Sequence, residues 1–260
     1  MTNQVEKAEA FRALHVPGNP VILSNVWDAV SARIVASTKG VRAIASASHS
    51  VSYARGVPDG EGMTIEQALE SARLILDAVD LPVTIDFERA YASDADGVRE
   101  NVGRLIRTGA VGLNLEDTRT GQELFALDTA AERVAAARAA GDTAGVPIVI
   151  NARADSLVRG EEWSDMVSRA NCYLDAGADC AFVLGLRTAD DVKRALDEIR
   201  GKVSVIVGAG FVPLRTLAEL GVCRVSFGPG MLGVTLSHLK DAAAQVTALG
   251  EYPGELGFAY

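Results

Sequence analysis

Three cysteines in 260 residues are too few and too irregularly placed to staple a fold. Cys172, Cys180 and Cys223 are odd in number and lack Cys-x-x-Cys spacing, so they read as buried thiols rather than disulfides or metal ligands. No apolar run approaches the roughly 20 residues that cross a bilayer. The polar, acidic residues 1–10 do not read as a secretion signal, so a cytoplasmic protein with no membrane partner is expected. Clusters of basic charge are missing too. The 34 acidic residues outnumber the 25 basic ones, and the basic residues are scattered among carboxylates, which argues against a nucleic-acid binder. No linker divides the chain, so residues 1–260 are expected to form one domain, with a C-terminal helix over 231–249 and a tail over 250–260.

What is present is an alternation of short apolar runs and longer amphipathic ones, in a chain that is 48% hydrophobic. Strands are expected at Val21 to Asn25, Ala43 to Ser46, Val83 to Glu88, Val111 to Asp117, Ile148 to Asp155, Cys180 to Gly185, Val203 to Gly208 and Arg224 to Gly228. Helical patterns lie between them, among them Ile65 to Val79, Gly97 to Thr108, Ala130 to Ala140, Trp163 to Ala176, Ala189 to Ile199 and Pro213 to Leu220. Near-continuous hydrophobicity within strands implies a parallel sheet covered on both faces. Eight βα units in this length point to an α/β fold, a (β/α)8 TIM barrel, with a doubly wound open sheet as the competing architecture. Gly109, Gly177 and Gly221 stand where helices should end before the next strand.

TIM-barrel enzymes gather their chemistry at the C-terminal ends of the strands. There the third strand carries Asp86 and Glu88, the fourth Asn114 and Glu116, and the fifth Asn151, Arg153 and Asp155, each set at alternate positions and so on one face. Burying such carboxylates unpaired is costly, so a cation must compensate. Mg²⁺ suits hard oxygen ligands, with Mn²⁺ able to substitute; a closed salt-bridge network around Arg153 is the alternative. After the second strand, Ala47, Ser48 and His49 form a loop of small residues whose N–H groups suit an anion, and Asp59 lies in a turn near the barrel mouth.

The motifs Asn25-Val26-Trp27-Asp28, Pro58-Asp59-Gly60-Glu61-Gly62, Asp86-Phe87-Glu88, Asn114-Leu115-Glu116-Asp117 and Asn151-Ala152-Arg153-Ala154-Asp155 occur in order on successive strands. Together they resemble the isocitrate lyase and phosphoenolpyruvate mutase superfamily, from about Phe11 to Gly233. The resemblance implies a Mg²⁺-dependent barrel enzyme acting on a small 2-oxo acid or related carboxylate through a pyruvate-type enolate. By position it assigns Asp86, Glu88 and Glu116 to the metal, several acting through water. Asp59, Arg153 and Glu116 fall in the catalytic set. Trp27, Asp28, Ala47, Ser48, His49, Asn114 and Asn151 join Arg153 around the substrate.

The chain also departs from the pattern. Isocitrate and methylisocitrate lyases carry a Lys-Cys-Gly-His-like loop after the fourth strand, where this chain has Thr118 to Phe125 with neither Cys nor His. Arg89-Ala90-Tyr91 follows the third-strand carboxylates where the family often has Gly-Tyr-Gly. The expected reaction is therefore carbon-carbon cleavage or decarboxylation with solvent as the last proton donor, and phosphorus-carbon chemistry is the alternative. Two other classes compete. Gly208-Ala209-Gly210 and Gly228-Pro229-Gly230 suit a phosphate-binding barrel, although no strand-end lysine offers a Schiff base; a non-catalytic carboxylate-binding barrel is the other. The apolar stripe Val234, Leu236, Leu239, Ala242, Ala243, Val246 and Leu249 must be covered, which suggests a homodimer or homotetramer. The loop after the fourth strand is expected to close as a lid about Gly121.

Overall fold

The computed structural model describes residues 2–120 and 122–254. Strands and helices follow one another as α1 (Thr2–Ala13), β1 (Val21–Leu23), β2 (Asn25–Val26), α2 (Ala29–Ser37), β3 (Ile44–Ser46), α3 (Ser48–Arg55), α4 (Ile65–Leu76), β4 (Val83–Asp86), α5 (Ala95–Arg107) and β5 (Gly112–Glu116). The second half continues as α6 (Leu127–Ala144), β6 (Val149–Ala154), α7 (Ser156–Arg159), α8 (Trp163–Asp175), β7 (Cys180–Val183), α9 (Ala189–Glu198), β8 (Val203–Ile206), α10 (Leu214–Leu220), β9 (Arg224–Ser226) and α11 (Gly230–Thr247).

The nine strands form one parallel sheet in the order β1-β9-β8-β7-β6-β5-β4-β3-β2. β1 and β2 are two halves of the expected first strand, parted at Ser24. The first half pairs with β9 and the second with β3, so the sheet closes into an eight-position (β/α)8 barrel rather than an open doubly wound sheet. Asn25 spans the seam: its Nδ2 donates to Ser46 O at 2.8 Å, and its Oδ1 accepts from Phe227 N at 2.8 Å.

Local signals set many boundaries. Thr64 with Gln67, and Thr188 with Asp191, form reciprocal capping boxes that start α4 and α9. Gly109, Gly177 and Gly221 have φ of 103°, 105° and 109°, as expected of residues that turn a helix into the next strand. Four helices escaped the sequence pattern. α1 closes the barrel floor, with Phe11 fully buried, yet its polar composition hides that role. α2 begins at Ala29 with Asp28 as its cap, α3 occupies what read as an anion-binding loop, and α7 is a single turn. α3 buries Ser48, Ser50, Val51 and Ser52; small polar residues give no hydrophobic period, and tertiary packing decides.

Cys180 and Cys223 are buried, their sulfurs 3.6 Å apart, and Cys172 is half-buried. α11 starts one residue earlier than expected and ends two earlier, and Leu232 is its one buried residue; Val234, Leu239 and Val246 are exposed. Among the described residues no helix is long and apolar enough to cross a membrane. Gly121 and residues 255–260 of the tail lie outside the described residues, so the fold does not address the hinge expectation.

Candidate active site

Strand register gathers the polar side chains. Asp86 pairs with Asn114, Asn114 with Asn151, and Glu116 with Arg153 across β4, β5 and β6. A cavity of about 190 Å³ at the barrel mouth is lined by Asp59, Asp86, Asn114 and Arg153, with Ala47, Ser48 and His49 on one side. A larger groove of about 800 Å³ runs outside the barrel between α5 and α6. Its Asp96, Glu100, Arg99 and Arg107 offset one another in charge, so the chemistry gathers at the mouth.

Arg153 is held from behind. Its Nε and Nη2 donate to the two oxygens of fully buried Asp155, both at 2.7 Å, and Nη2 also pairs with Glu116. Burial works against the guanidinium charge, but Glu116 and Asp155 outweigh it and raise the Arg153 pKa. Asp155 is itself fixed by Asp117, which accepts from Asp155 N at 3.0 Å, and by Thr118, whose hydroxyl donates to it at 2.5 Å. Tyr173 OH in turn donates to Asp117 at 2.6 Å. Nη1 of Arg153 is left without a partner among the described residues.

The carboxylates are differently placed. Asp86 Oδ2 accepts from Ser48 N at 2.9 Å and Oδ1 from Asn114 Nδ2 at 3.3 Å. β4 ends at Asp86, so strand alternation does not carry Glu88 inward as expected; a φ of 48° turns it instead. Glu88 then accepts from Glu61 N at 2.6 Å and from Tyr91 OH. Burial pushes its pKa up to about 7 against those hydrogen bonds, with Asp86 and Asp59 adding to the rise. Glu116 lies between Arg153 and Arg89, the latter at 3.5 Å. Burial nonetheless pushes its pKa up to about 8, outweighing Arg153, and Asp155, Asp86 and Glu88 add repulsion.

Several expected placements change. Asp28 does not reach the cavity: its carboxylate accepts from Ser31 N at 2.7 Å and caps α2. Trp27 packs on the core and is not among the lining residues. Asn151 is fully buried below the cavity and donates to Asn114 Oδ1 at 2.9 Å. Ala47 N is spent on Val26 O and Ser48 N on Asp86, so of the three expected amides only that of His49 remains for an anion, in the first turn of α3. Both oxygens of Glu116 face guanidinium groups, Oε1 that of Arg89 and Oε2 that of Arg153.

Among the described residues no three His, Cys, Asp or Glu side chains close on one metal position. Yet Asp59, Asp86 and Glu88 have no ion pair within 4 Å among those residues, and Asp86 and Asp59 repel the charged form of Glu88. Such a donor set fits Mg²⁺, which takes one or two carboxylates and keeps its remaining waters. The salt-bridge network around Arg153 exists, but it neutralises only Glu116 and Asp155.

Sequence reasoning missed Glu61, which accepts from Arg89 N, Tyr91 N and Arg89 Nη2 at 2.8 to 3.0 Å and so shapes the loop after β4. Glu61, Glu88, Ala90 and Tyr91 all have positive φ between 48° and 63°. Backbone strain in residues without glycine's freedom tends to gather at functional sites. No local sequence signal marks it.

A family model described as phosphoenolpyruvate phosphomutase matches residues 11–247. The chain belongs to this family. It is a member of the isocitrate lyase/phosphoenolpyruvate mutase superfamily, whose members are enzymes. It is 31% identical to 2-methylisocitrate lyase of Salmonella typhimurium over 230 residues, covering 84% of this chain and 76% of that protein. It is 28% identical to oxaloacetate decarboxylase of Bradyrhizobium sp. strain ORS 278, covering 83% and 74%. A solved structure from Burkholderia cenocepacia J2315, named provisionally as a phosphonomutase, superposes with a TM-score of 0.86 at 40% identity, covering 95% of this chain and all of that one.

Proposed function

We propose that this phosphoenolpyruvate mutase family member is a Mg²⁺-dependent lyase that cleaves a carbon-carbon bond next to a carboxylate in a small 2-oxo acid or related di- or tricarboxylate. One observation carries the reading: a single cavity sets a guanidinium with a free edge opposite carboxylates that lack a cation of their own. Asp86, with Asp59, would hold Mg²⁺, or Mn²⁺ in its place, and Glu88, which lies outside the cavity lining with its oxygens taken by Glu61 N and Tyr91 OH, would act through water. When bound, the ion supplies Lewis-acid stabilisation of the charge that grows on the enolate oxygen.

The protein's own groups do the rest. Arg153, locked by Asp155, takes the substrate carboxylate and fixes the orientation of the bond to be broken. The amide of His49 adds a preorganised donor for oxyanion charge at the start of α3. The Asp59 carboxylate has no hydrogen-bond partner among the described residues, which leaves its oxygens for the ion and its waters. With no Cys or His from Thr118 to Phe125, solvent supplies the final proton. The names of the 2-methylisocitrate lyase and oxaloacetate decarboxylase relatives support carbon-carbon chemistry. The 40% identical phosphonomutase-named structure favours a second reading, phosphorus-carbon cleavage.

Thermal unfolding with Mg²⁺, with oxalate as a pyruvate-enolate mimic, and with both, tests the site in wild type and Asp86→Ala. Joint stabilisation that the variant loses is expected; no shift in wild type refutes the metal-enolate site. Turnover of a 2-oxo diacid against phosphonopyruvate then separates the two readings. We further propose that the exposed Val234, Leu239 and Val246 face of α11 is covered by a second copy in a homodimer or homotetramer. A monomeric mass by light scattering refutes that assembly.

A further inference from the structure

Arg224, the first residue of β9, is fully buried inside the barrel, two positions before Ser226 of the cavity wall. No carboxylate lies within 4 Å of it among the described residues, and its Nε and Nη1 have no partner. Its guanidinium stands 5.8 Å from the centre of the Phe11 ring, which comes up from α1. A buried cation so poorly paired is costly, and an apolar side chain of similar length would fill the same space at less cost. Packing therefore does not account for an arginine here.

Its one side-chain hydrogen bond among the described residues leads to the candidate metal site. Arg224 Nη2 donates to Asn114 Oδ1 at 3.0 Å, and Asn151 Nδ2 donates to the same oxygen at 2.9 Å. With the amide oxygen so claimed, the Asn114 NH₂ must face the other way, where it donates to Asp86 Oδ1 at 3.3 Å. Asp86 Oδ2 is meanwhile held by Ser48 N at 2.9 Å. Burial works against the Arg224 cation, while Cys180, Cys223 and then Asp86 favour it. We infer that Arg224 is a positioning residue: through the Asn114 amide it sets the orientation of Asp86 for a divalent cation at the barrel mouth. The inference rests on the Mg²⁺ reading proposed above.

Mg²⁺ titration calorimetry on the purified full chain tests it, with the unfolding temperature of each metal-free protein measured alongside. Wild type, Asp86→Asn, Arg224→Met, Arg224→Lys, Asn114→Ala and the double variant Arg224→Met/Asn114→Ala form the set. Residues that orient a metal ligand typically change affinity by about 10- to 100-fold. Arg224→Met is expected to weaken Mg²⁺ binding at least about tenfold, Arg224→Lys to recover part of that, and the double variant to bind no more weakly than Asn114→Ala, since both act along one path. Should Arg224→Met not fold, Arg224→Lys decides: weaker Mg²⁺ binding at wild-type metal-free stability supports the inference, and wild-type affinity overturns it. Unchanged or tighter binding by Arg224→Met, as simple removal of a repelling cation would produce, or additive losses in the double variant, also overturn it. If wild type binds Mg²⁺ and Asp86→Asn does not, while the Arg224 variants bind normally, only this inference falls. If wild type binds no Mg²⁺, the metal reading falls and takes this inference with it.

Discussion

Raising the pH from 6.5 to 8 should destabilise the metal-free protein. A carboxyl whose pKa is raised by folding binds its proton more tightly in the native state. Its stabilising contribution is complete below the unfolded value near 4.5 and is lost as pH rises through the folded value, here about 7 for Glu88 and about 8 for Glu116. Asp117, pushed up to about 6 by burial, has mostly titrated below this window, and His15, pushed down to about 3 by burial and Arg224, returns about 0.4 kcal/mol as the unfolded imidazole gives up its proton above 6.5. Glu88 titrates over the first half unit and Glu116 across the whole span; at about 1.4 kcal/mol per pH unit and proton, the net loss is about 2 kcal/mol. Urea denaturation at pH 6.5, 7, 7.5 and 8 in the presence of a chelator measures it. Glu116→Gln should remove its share, about 2 kcal/mol, from the slope. Saturating Mg²⁺ should flatten the decline, because the cation favours the ionised carboxylates. A metal-free stability that is level or rising between pH 6.5 and 8 refutes the reading that burial outweighs the hydrogen bonds of Glu88 and the ion pairs of Glu116.

Other expectations are more local. Gly112→Ala should destabilise the barrel by about 1 to 3 kcal/mol in urea, because a methyl there would lie 2.8 Å from both Phe11 Cε1 and Thr84 Oγ1. Tyr173→Phe removes the donor to Asp117 and should cost about 1.5 to 3 kcal/mol; it should also weaken oxalate binding by loosening Asp155 behind Arg153, which calorimetry reads. Thr64→Ala deletes the hydroxyl that accepts from Gln67 N and should lower stability by about 1 kcal/mol without altering ligand binding.

The barrel's frame was written in local pattern. Short apolar runs between amphipathic stretches place eight strand positions, and capping boxes at Thr64 and Thr188 start their helices where the period begins. Patterning missed α1 and α3, whose polar or small residues become buried only because the barrel supplies surfaces for them. It also carried β4 two residues too far, since alternation cannot reveal that Glu88 leaves the strand with a positive φ.

The sequence by itself determined which chemical groups stand at the strand ends, because residue type and period-two alternation are local properties. Asp86, Asn114, Glu116 and Arg153 were readable in that way. Which groups neutralise which was decided only by tertiary structure, since ion pairing depends on side chains converging from distant strands. Thus Asp155 locks Arg153, Arg89 and Arg153 enclose Glu116, and Asp28 turns away to cap α2. Arg224 reaches Asn114 across 110 residues of chain because the closed sheet brings β9 and β5 to face one interior.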